Sequence, residues 1–348
     1  MKKVSLFLGF AFMACMVFAQ NNATVNQFGS NIGSVNQDGS GNNATIQQGS
    51  SGAAVTNNHA PAYVGDWIQG SYIHQIGQTN TAEATVRQSG NGTDINQVGD
   101  VNTAKQDVGS YYEETTSYTK MGLDIDQIGG NNWATQKTIK TYGNFGVQGM
   151  TVYQGGNYNI ADQVSIGGMG QVQSIKQVGD NNNNPIKSGN TFDLSSTTIN
   201  NPLAVLQNPL TLAFTFGAGA QTVSLPLTQY SKQELGKATI DVLGSDNNTY
   251  QFQETPTWGG GKNQATIDLI GNKNDVAQGQ LGALNNSDFD LTGDENVVSN
   301  SQLGNSNIAD VNILGSYNVV GIEQTGDLNN ATVNQTGNSN LARIIQQP

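Results

Sequence analysis

A chain of 348 residues would ordinarily make two or three globular domains, but 36% hydrophobic and 11% charged residues, with 43 glycines and 7 prolines, describe something else. The formal net charge of −12 argues against a nucleic-acid reader, which needs a basic surface to neutralise phosphates. Apolar content this low often means disorder, yet aliphatic residues here fall at every second position in a fixed frame, which disordered low-complexity chains do not maintain.

The N-terminus, MKKVSLFLGFAFMACMVFAQ, places Lys2 and Lys3 before an apolar run from Val4 to Phe18, with Val17 and Ala19 at the positions that a cut before Gln20 requires. Residues 1–19 read as a secretory signal peptide, so the chain is expected to be secreted. Phe12, Met13 and Ala14 make a poor lipidation signal ahead of Cys15, which favours a soluble export signal. Cleavage removes the only cysteine, so neither disulfides nor thiolate chemistry are expected. It also leaves 12 basic residues (14 less Lys2 and Lys3) against 26 acidic ones, a net charge of −14 that makes copies repel one another. No later apolar run reaches the length of a membrane-spanning helix.

Repeats begin at the predicted cut. Asn21, Ala23, Val25, Gln27 is followed by Asn31, Gly33, Val35, Gln37 and by Asn42, Ala44, Ile46, Gln48. Further units read Ile73, Gln75; Val86, Gln88, Gly90; Ile95, Gln97; Asn102, Ala104, Gln106; Ile125, Gln127; Asn132, Ala134, Gln136; Val152, Gln154; Asn159, Ala161, Gln163; and Ile175, Gln177. Insertions near 50–68, 109–121, 137–147 and 164–170 are expected to be longer turns, since the strands must stay in register. Residues 20–183 thus form a first array. Residues 184–235 break the rhythm, and within them TLAFTF and TVSLPL flank GAGAQ in the pattern of a β-hairpin.

The beat resumes at Ala238 and becomes regular over 236–348. Asparagine falls every eleven residues at Asn263, Asn274, Asn285, Asn296, Asn307, Asn318, Asn329 and Asn340, and glycine keeps step at Gly271, Gly282, Gly293, Gly304, Gly315, Gly326 and Gly337. In the unit NNATVNQTG at 329–337, Ala331, Val333 and Gln335 share one face and Thr332, Asn334 and Thr336 the other, which is strand alternation. The glycine and the polar residues after it supply a tight turn, because glycine takes positive φ without penalty. Where one unit has Gln280, Gln302 or Gln324, its neighbours have Leu269, Leu291 and Ile313, so the coil is 22 residues of two strands. The expected fold is an all-β solenoid of strand-turn-strand coils forming two parallel sheets, with inserted loops.

An amide inside such a cavity costs about 1–3 kcal/mol if unpaired. Stacked in register, asparagine and glutamine bond to their own kind along the axis, since each carries donor and acceptor. The asparagines above, with Gln280, Gln302, Gln324, Gln335 and Gln346, are therefore the expected structural ladder.

The spacing Gln-x-Gly-x-x-Asn-x-Ala-x-x-x-Gln, found at Gln324 to Gln335 and again at Gln335 to Gln346, resembles the curlin repeat of bacterial curli, the extracellular amyloid fibres of biofilms. The likeness covers most of 21–180 and 236–347. It implies a β-solenoid with inward amide ladders, nucleated polymerisation with itself and related fibre subunits, and export through an outer-membrane channel with dedicated chaperones. The chain departs from the pattern in its length, its large insertion and its inward Leu269, Leu291 and Ile313.

Enzymatic chemistry, cofactors and metals are not expected. His59 and His74 stand in unrelated contexts, and Asp38, Asp100, Asp180, Asp310 and Asp327 sit at positions read as turns, where aspartate is favoured structurally. The consensus runs from Asn21, Ala23, Val25 and Gln27 at one end to Ala342, Ile344 and Gln346 at the other, and is expected to leave open rungs that act as self-assembly ends. The competing expectations are an accessory or nucleating subunit, or a monomeric surface adhesin whose insertion is the tip.

Overall fold

The computed structural model describes residues 20–27, 32–48, 70–87, 91–109, 120–139, 147–166, 171–183, 228–232, 236–255 and 261–347. These form 23 strands and no helix. In chain order they are β1 (Asn22–Gln27), β2 (Gly33–Ser40), β3 (Asn43–Gln48), β4 (Ser71–Gln78), β5 (Thr81–Val86), β6 (Asn91–Val98), β7 (Thr103–Gly109) and β8 (Lys120–Ile128). Then come β9 (Trp133–Ile139), β10 (Val147–Gly155), β11 (Ile160–Ile166), β12 (Val172–Val178), β13 (Gln229–Lys232), β14 (Lys237–Leu243), β15 (Asn248–Glu254) and β16 (Gln264–Ile270). The last are β17 (Asp275–Leu281), β18 (Asn286–Thr292), β19 (Val297–Leu303), β20 (Ile308–Leu314), β21 (Val319–Thr325), β22 (Asn330–Thr336) and β23 (Leu341–Gln346).

Odd-numbered strands build a 12-stranded sheet and even-numbered strands an 11-stranded one, each strand pairing with the one two places along. Every pairing is parallel and in register, as in the run Ile267, Phe289, Val311, Val333 across β16, β18, β20 and β22. The chain therefore crosses from one sheet to the other at every turn and winds a β-solenoid. Alternation along β18, β20 and β22 is strict, with every second residue buried and its neighbours exposed. The core is the thin space between the sheets, filled by Ala, Val, Ile and Leu, with Phe289 its largest fully buried side chain.

Close stacking of the turns explains the glycines. A Cβ on Gly271 would lie 1.9 Å from the carbonyl oxygen of Gly293, and one on Gly315 would lie 2.0 Å from that of Gly337. The turn also holds a second left-handed residue, two places after the glycine: Lys273, Leu284, Glu295, Ser306, Tyr317, Leu328 and Ser339 all have φ between 57° and 61°. No one residue type is common to all seven, so residue identity does not mark them in the sequence.

Three expectations change. Val86 does not occupy the central inward position of its unit: β5 aligns Ala82, Ala84 and Val86 with Ala44, Ile46 and Gln48 of β3, so Val86 stands where an amide stood. The non-repeat insertion is shorter than 184–235, because Thr228 and β13 belong to the 12-stranded sheet, with Gln229 in register with Gln163 and Gln251. The chain departs after Asn183 and returns at Thr228 within one rung, where the Asn183 Oδ1 accepts the backbone N–H of Thr249 at 2.6 Å. Asp310 lies mid-strand on β20 and Asp38 on β2, not in turns. The signal peptide, His59 and the hairpin expected at 211–227 lie outside the described residues.

Candidate assembly surface

Three glutamine ladders run along the core. In the 11-stranded sheet, Gln37, Gln75, Gln97, Gln127, Gln154 and Gln177 each donate from Nε2 to the next Oε1 at 2.7 to 3.0 Å. In the 12-stranded sheet, Gln106, Gln136, Gln163, Gln229, Gln251 and Gln278 do the same at the middle inward position. A third ladder begins beside the second, from Gln253 through Gln280, Gln302 and Gln324 to Gln346, at 2.8 to 2.9 Å. The second N–H of each amide in this third ladder crosses the core to a backbone carbonyl, as from Gln302 to Asn286 at 2.9 Å and from Gln324 to Ile308 at 2.8 Å. Donation always points toward higher residue number, so the ladders are polar.

The asparagines form two columns, one on each side of the solenoid. Asn274, Asn296, Asn318 and Asn340 make one, and Asn263, Asn285, Asn307 and Asn329 the other. Each Oδ1 but those of Asn329 and Asn340 receives the backbone N–H of the asparagine on the next rung, 2.9 Å from Asn296 to Asn274, while the Nδ2 of Asn296 reaches the carbonyl of Gly315 at 2.9 Å. One side chain thus satisfies two turn groups that would otherwise be buried unpaired.

Gln335 stands outside the ladder expected for it. It belongs to the 11-stranded sheet, where Gln177 is followed by Val242, Leu269, Leu291 and Ile313, and its rung neighbour is Ile313. Its Oε1 is buried without a hydrogen-bond partner. The middle ladder is made of glutamines outside the expected ladder, although Gln106, Gln136 and Gln163 belong to repeat units of the first array. Its signal is present, since Gln106, Gln136 and Gln163 lie four residues after an asparagine rather than six.

At the ends the ladders stop. All of β1 is exposed, Val25 by 41%. On β23, Ala342 and Ile344 are half-buried against the core cluster, as is Val35 on β2. The outer edges of β1, β2, β22 and β23 have no partner strand among the described residues. Gly337 differs from Gly271, Gly282, Gly293, Gly304 and Gly315: a Cβ there would meet only the Nδ2 of Asn340, at 3.9 Å.

Charge lies on the flanks. Asp241, Asp268 and Asp290 stack in one outward column and Asp288 and Asp310 in another, with Lys176 pairing Asp241 at 2.8 Å. Partial burial, reinforced by the neighbouring carboxylates, raises the carboxyls of Asp268 and Asp288 above their usual range. Burial lifts Asp124, Asp162 and Asp275 to about 6, with Asp126 adding to the rise at Asp124 and a hydrogen bond from Thr135 opposing it at Asp162. Among the described residues no group of three or more His, Cys, Asp or Glu is placed to hold a metal ion, and no helix is long and apolar enough to cross a membrane.

Residues 315–347 match the family model of the curlin associated repeat. No curated protein matches the chain.

Proposed function

We propose that this protein is a subunit of a curli-type extracellular fibre, growing by the addition of copies to the open ends of the solenoid. The observation that carries this reading is the pair of parallel edges at each end of the stack that are unpartnered among the described residues, with every glutamine ladder pointing the same way. A fresh rung would extend both sheets with on the order of ten backbone hydrogen bonds, each worth about 0.5–1.5 kcal/mol. Association costs of about 4–15 kcal/mol are of similar size, so growth requires a preformed end and is expected to be nucleated. The role is structural rather than catalytic. Adhesion and biofilm matrix are the activities such a fibre would serve, and export would use an outer-membrane channel with its chaperones.

The test is a dye-binding time course on the chain from Gln20, with and without preformed seeds. A lag abolished by seeds, and aligned aggregates diffracting near 4.8 Å along the axis, are expected. A protein that stays monomeric at high concentration would sink the fibre reading and favour an adhesin.

A further inference from the structure

Among the described residues the two sheets contain unequal numbers of strands, 12 and 11. Because the chain changes sheet at every turn, an odd total puts β1 and β23 in the same sheet. Two copies stacked without rotation would set β23 against β1 in that sheet, and the other sheet would then lack one strand between β22 and β2. Such a gap opens the core and leaves a row of backbone donors and acceptors unpaired, each costing about 1–3 kcal/mol. Turning the second copy by half a revolution about the fibre axis removes the gap, since its β1 then lies on β22 and its β2 on β23.

Side chains on the two rungs match this second arrangement. The six residues of β1, NATVNQ, are the same as the first six of β22, Asn330 to Gln335. Superposed, Ala23 meets Ala331, Val25 meets Val333 and Gln27 meets Gln335. On the adjoining rung Gly33, Val35 and Gln37 meet Ala342, Ile344 and Gln346, so all six inward positions keep their chemistry.

Amide polarity agrees. Gln27 donates to Gln48 at 2.6 Å and Gln37 to Gln75 at 2.7 Å, and neither Oε1 receives a donor among the described residues. At the other end Gln346 spends one N–H on the Asn330 carbonyl, and no acceptor for the second stands on a further rung among the described residues. Gln335 interrupts the aliphatic column of Val242, Leu269, Leu291 and Ile313, and its buried Oε1 has no hydrogen-bond partner among the described residues. Its Nε2 can donate to the open Oε1 of Gln27 in a following copy, in the direction that the glutamine ladders take.

We propose that successive copies are related by a half-turn screw, with β22 joined to β1 and β23 to β2, and that Gln335 serves this junction. The inference rests on the fibre reading above. At about 4.8 Å per rung, 23 strands shared by two sheets advance the axis by about 55 Å per copy. A label on one outer face should therefore alternate between the two flanks of the fibre, recurring every ~110 Å on each.

The chain from Gln20 has no cysteine, so Asn312→Cys, an exposed outward position on β20, gives a unique site for maleimide-gold. Electron microscopy of labelled fibres is expected to show gold on both flanks in alternation. Duplicating residues 330–340 adds one strand, makes the total even and should bring all the gold to one flank at spacings near ~60 Å. Gold on a single flank of the unduplicated fibre, or no change upon duplication, would overturn the half-turn junction while leaving the fibre itself intact. Failure of the unlabelled chain to form fibres under seeding would overturn both.

Discussion

Gln302 donates from Nε2 to the Oε1 of Gln324 at 2.9 Å while its own Oε1 accepts from Gln280 at the same distance, deep in a core it shares with Phe289 and Leu291. An amide is the side chain that can give and take along the same line. Gln302→Glu removes both donors and buries a charge, leaving the Asn286 carbonyl and Gln324 without their hydrogens. A loss of at least about 3 kcal/mol is expected, read as a lower urea midpoint of the soluble chain and slower seeded growth. Unchanged unfolding and assembly would mean that position 302 faces water in solution.

Replacing Gln302 alone by leucine should cost about 1–3 kcal/mol, because Gln280, Gln324 and the Asn286 carbonyl each lose a partner. Replacing Gln280, Gln302 and Gln324 together should cost less than three times the single change. The column Leu269, Leu291, Ile313 shows the cavity accepting aliphatic stacks. Comparing urea midpoints of the single and triple variants decides the point: simple additivity would show that ladder bonding is not what holds these amides.

Gly315→Ala and Gly337→Ala make a matched pair. At Gly315 the new methyl meets the carbonyl of the next rung, whereas at Gly337 the space is open and only a φ of 98° resists it. Thermal unfolding should drop by many degrees for Gly315→Ala and only slightly for Gly337→Ala. Seeded growth should fall for both, because the open side of Gly337 is where the next copy's turn would lie.

Asn296→Ala tests the asparagine column. It strips a partner from the N–H of Asn318 and from the carbonyl of Gly315, an expected loss of about 2–4 kcal/mol. Hydrogen exchange should speed up at Asn318 first, and exchange that rises evenly along the whole chain would argue against a local role.

The carboxyls of Asp162 and Asp275 titrate near 6 when folded, raised by burial above the value of an unfolded carboxylate near 4. A raised folded value means that the folded state binds the proton more tightly. Its stabilising contribution is complete below about pH 4 and is lost as pH rises through 6. Melting temperature should therefore fall between pH 4.5 and 7.5, and the combined variant Asp162→Asn, Asp275→Asn should flatten that slope. A melting temperature that rises over the same interval would contradict the burial of these groups.

Much of this architecture is readable from residues 236–348 by eye. Glycine is forced where a turn lies under the carbonyl of the next rung, and asparagine where an Oδ1 must cap the next turn's N–H. Both demands recur at each coil, so they appear as a strict eleven-residue beat. Position 86 shows where such reading fails. Val86 and Ala84 both suit an inward place, and only pairing with Ile46 and Gln48 fixes which holds which. Likewise β13 is four residues long and follows an insertion, too short for a periodic signal, and joins its sheet because Gln163 and Gln251 await an amide between them.

The sequence by itself settled the coil length, the inward and outward faces and the chemistry of the ladders, because those depend on contacts between equivalent positions one rung apart. Tertiary structure alone decided which glutamines stack on which, that Gln335 rests on Ile313, and that one sheet holds an extra strand. These depend on register and on the count of half-turns, which loops of unequal length conceal in the linear chain and which only the closed winding of two sheets makes definite.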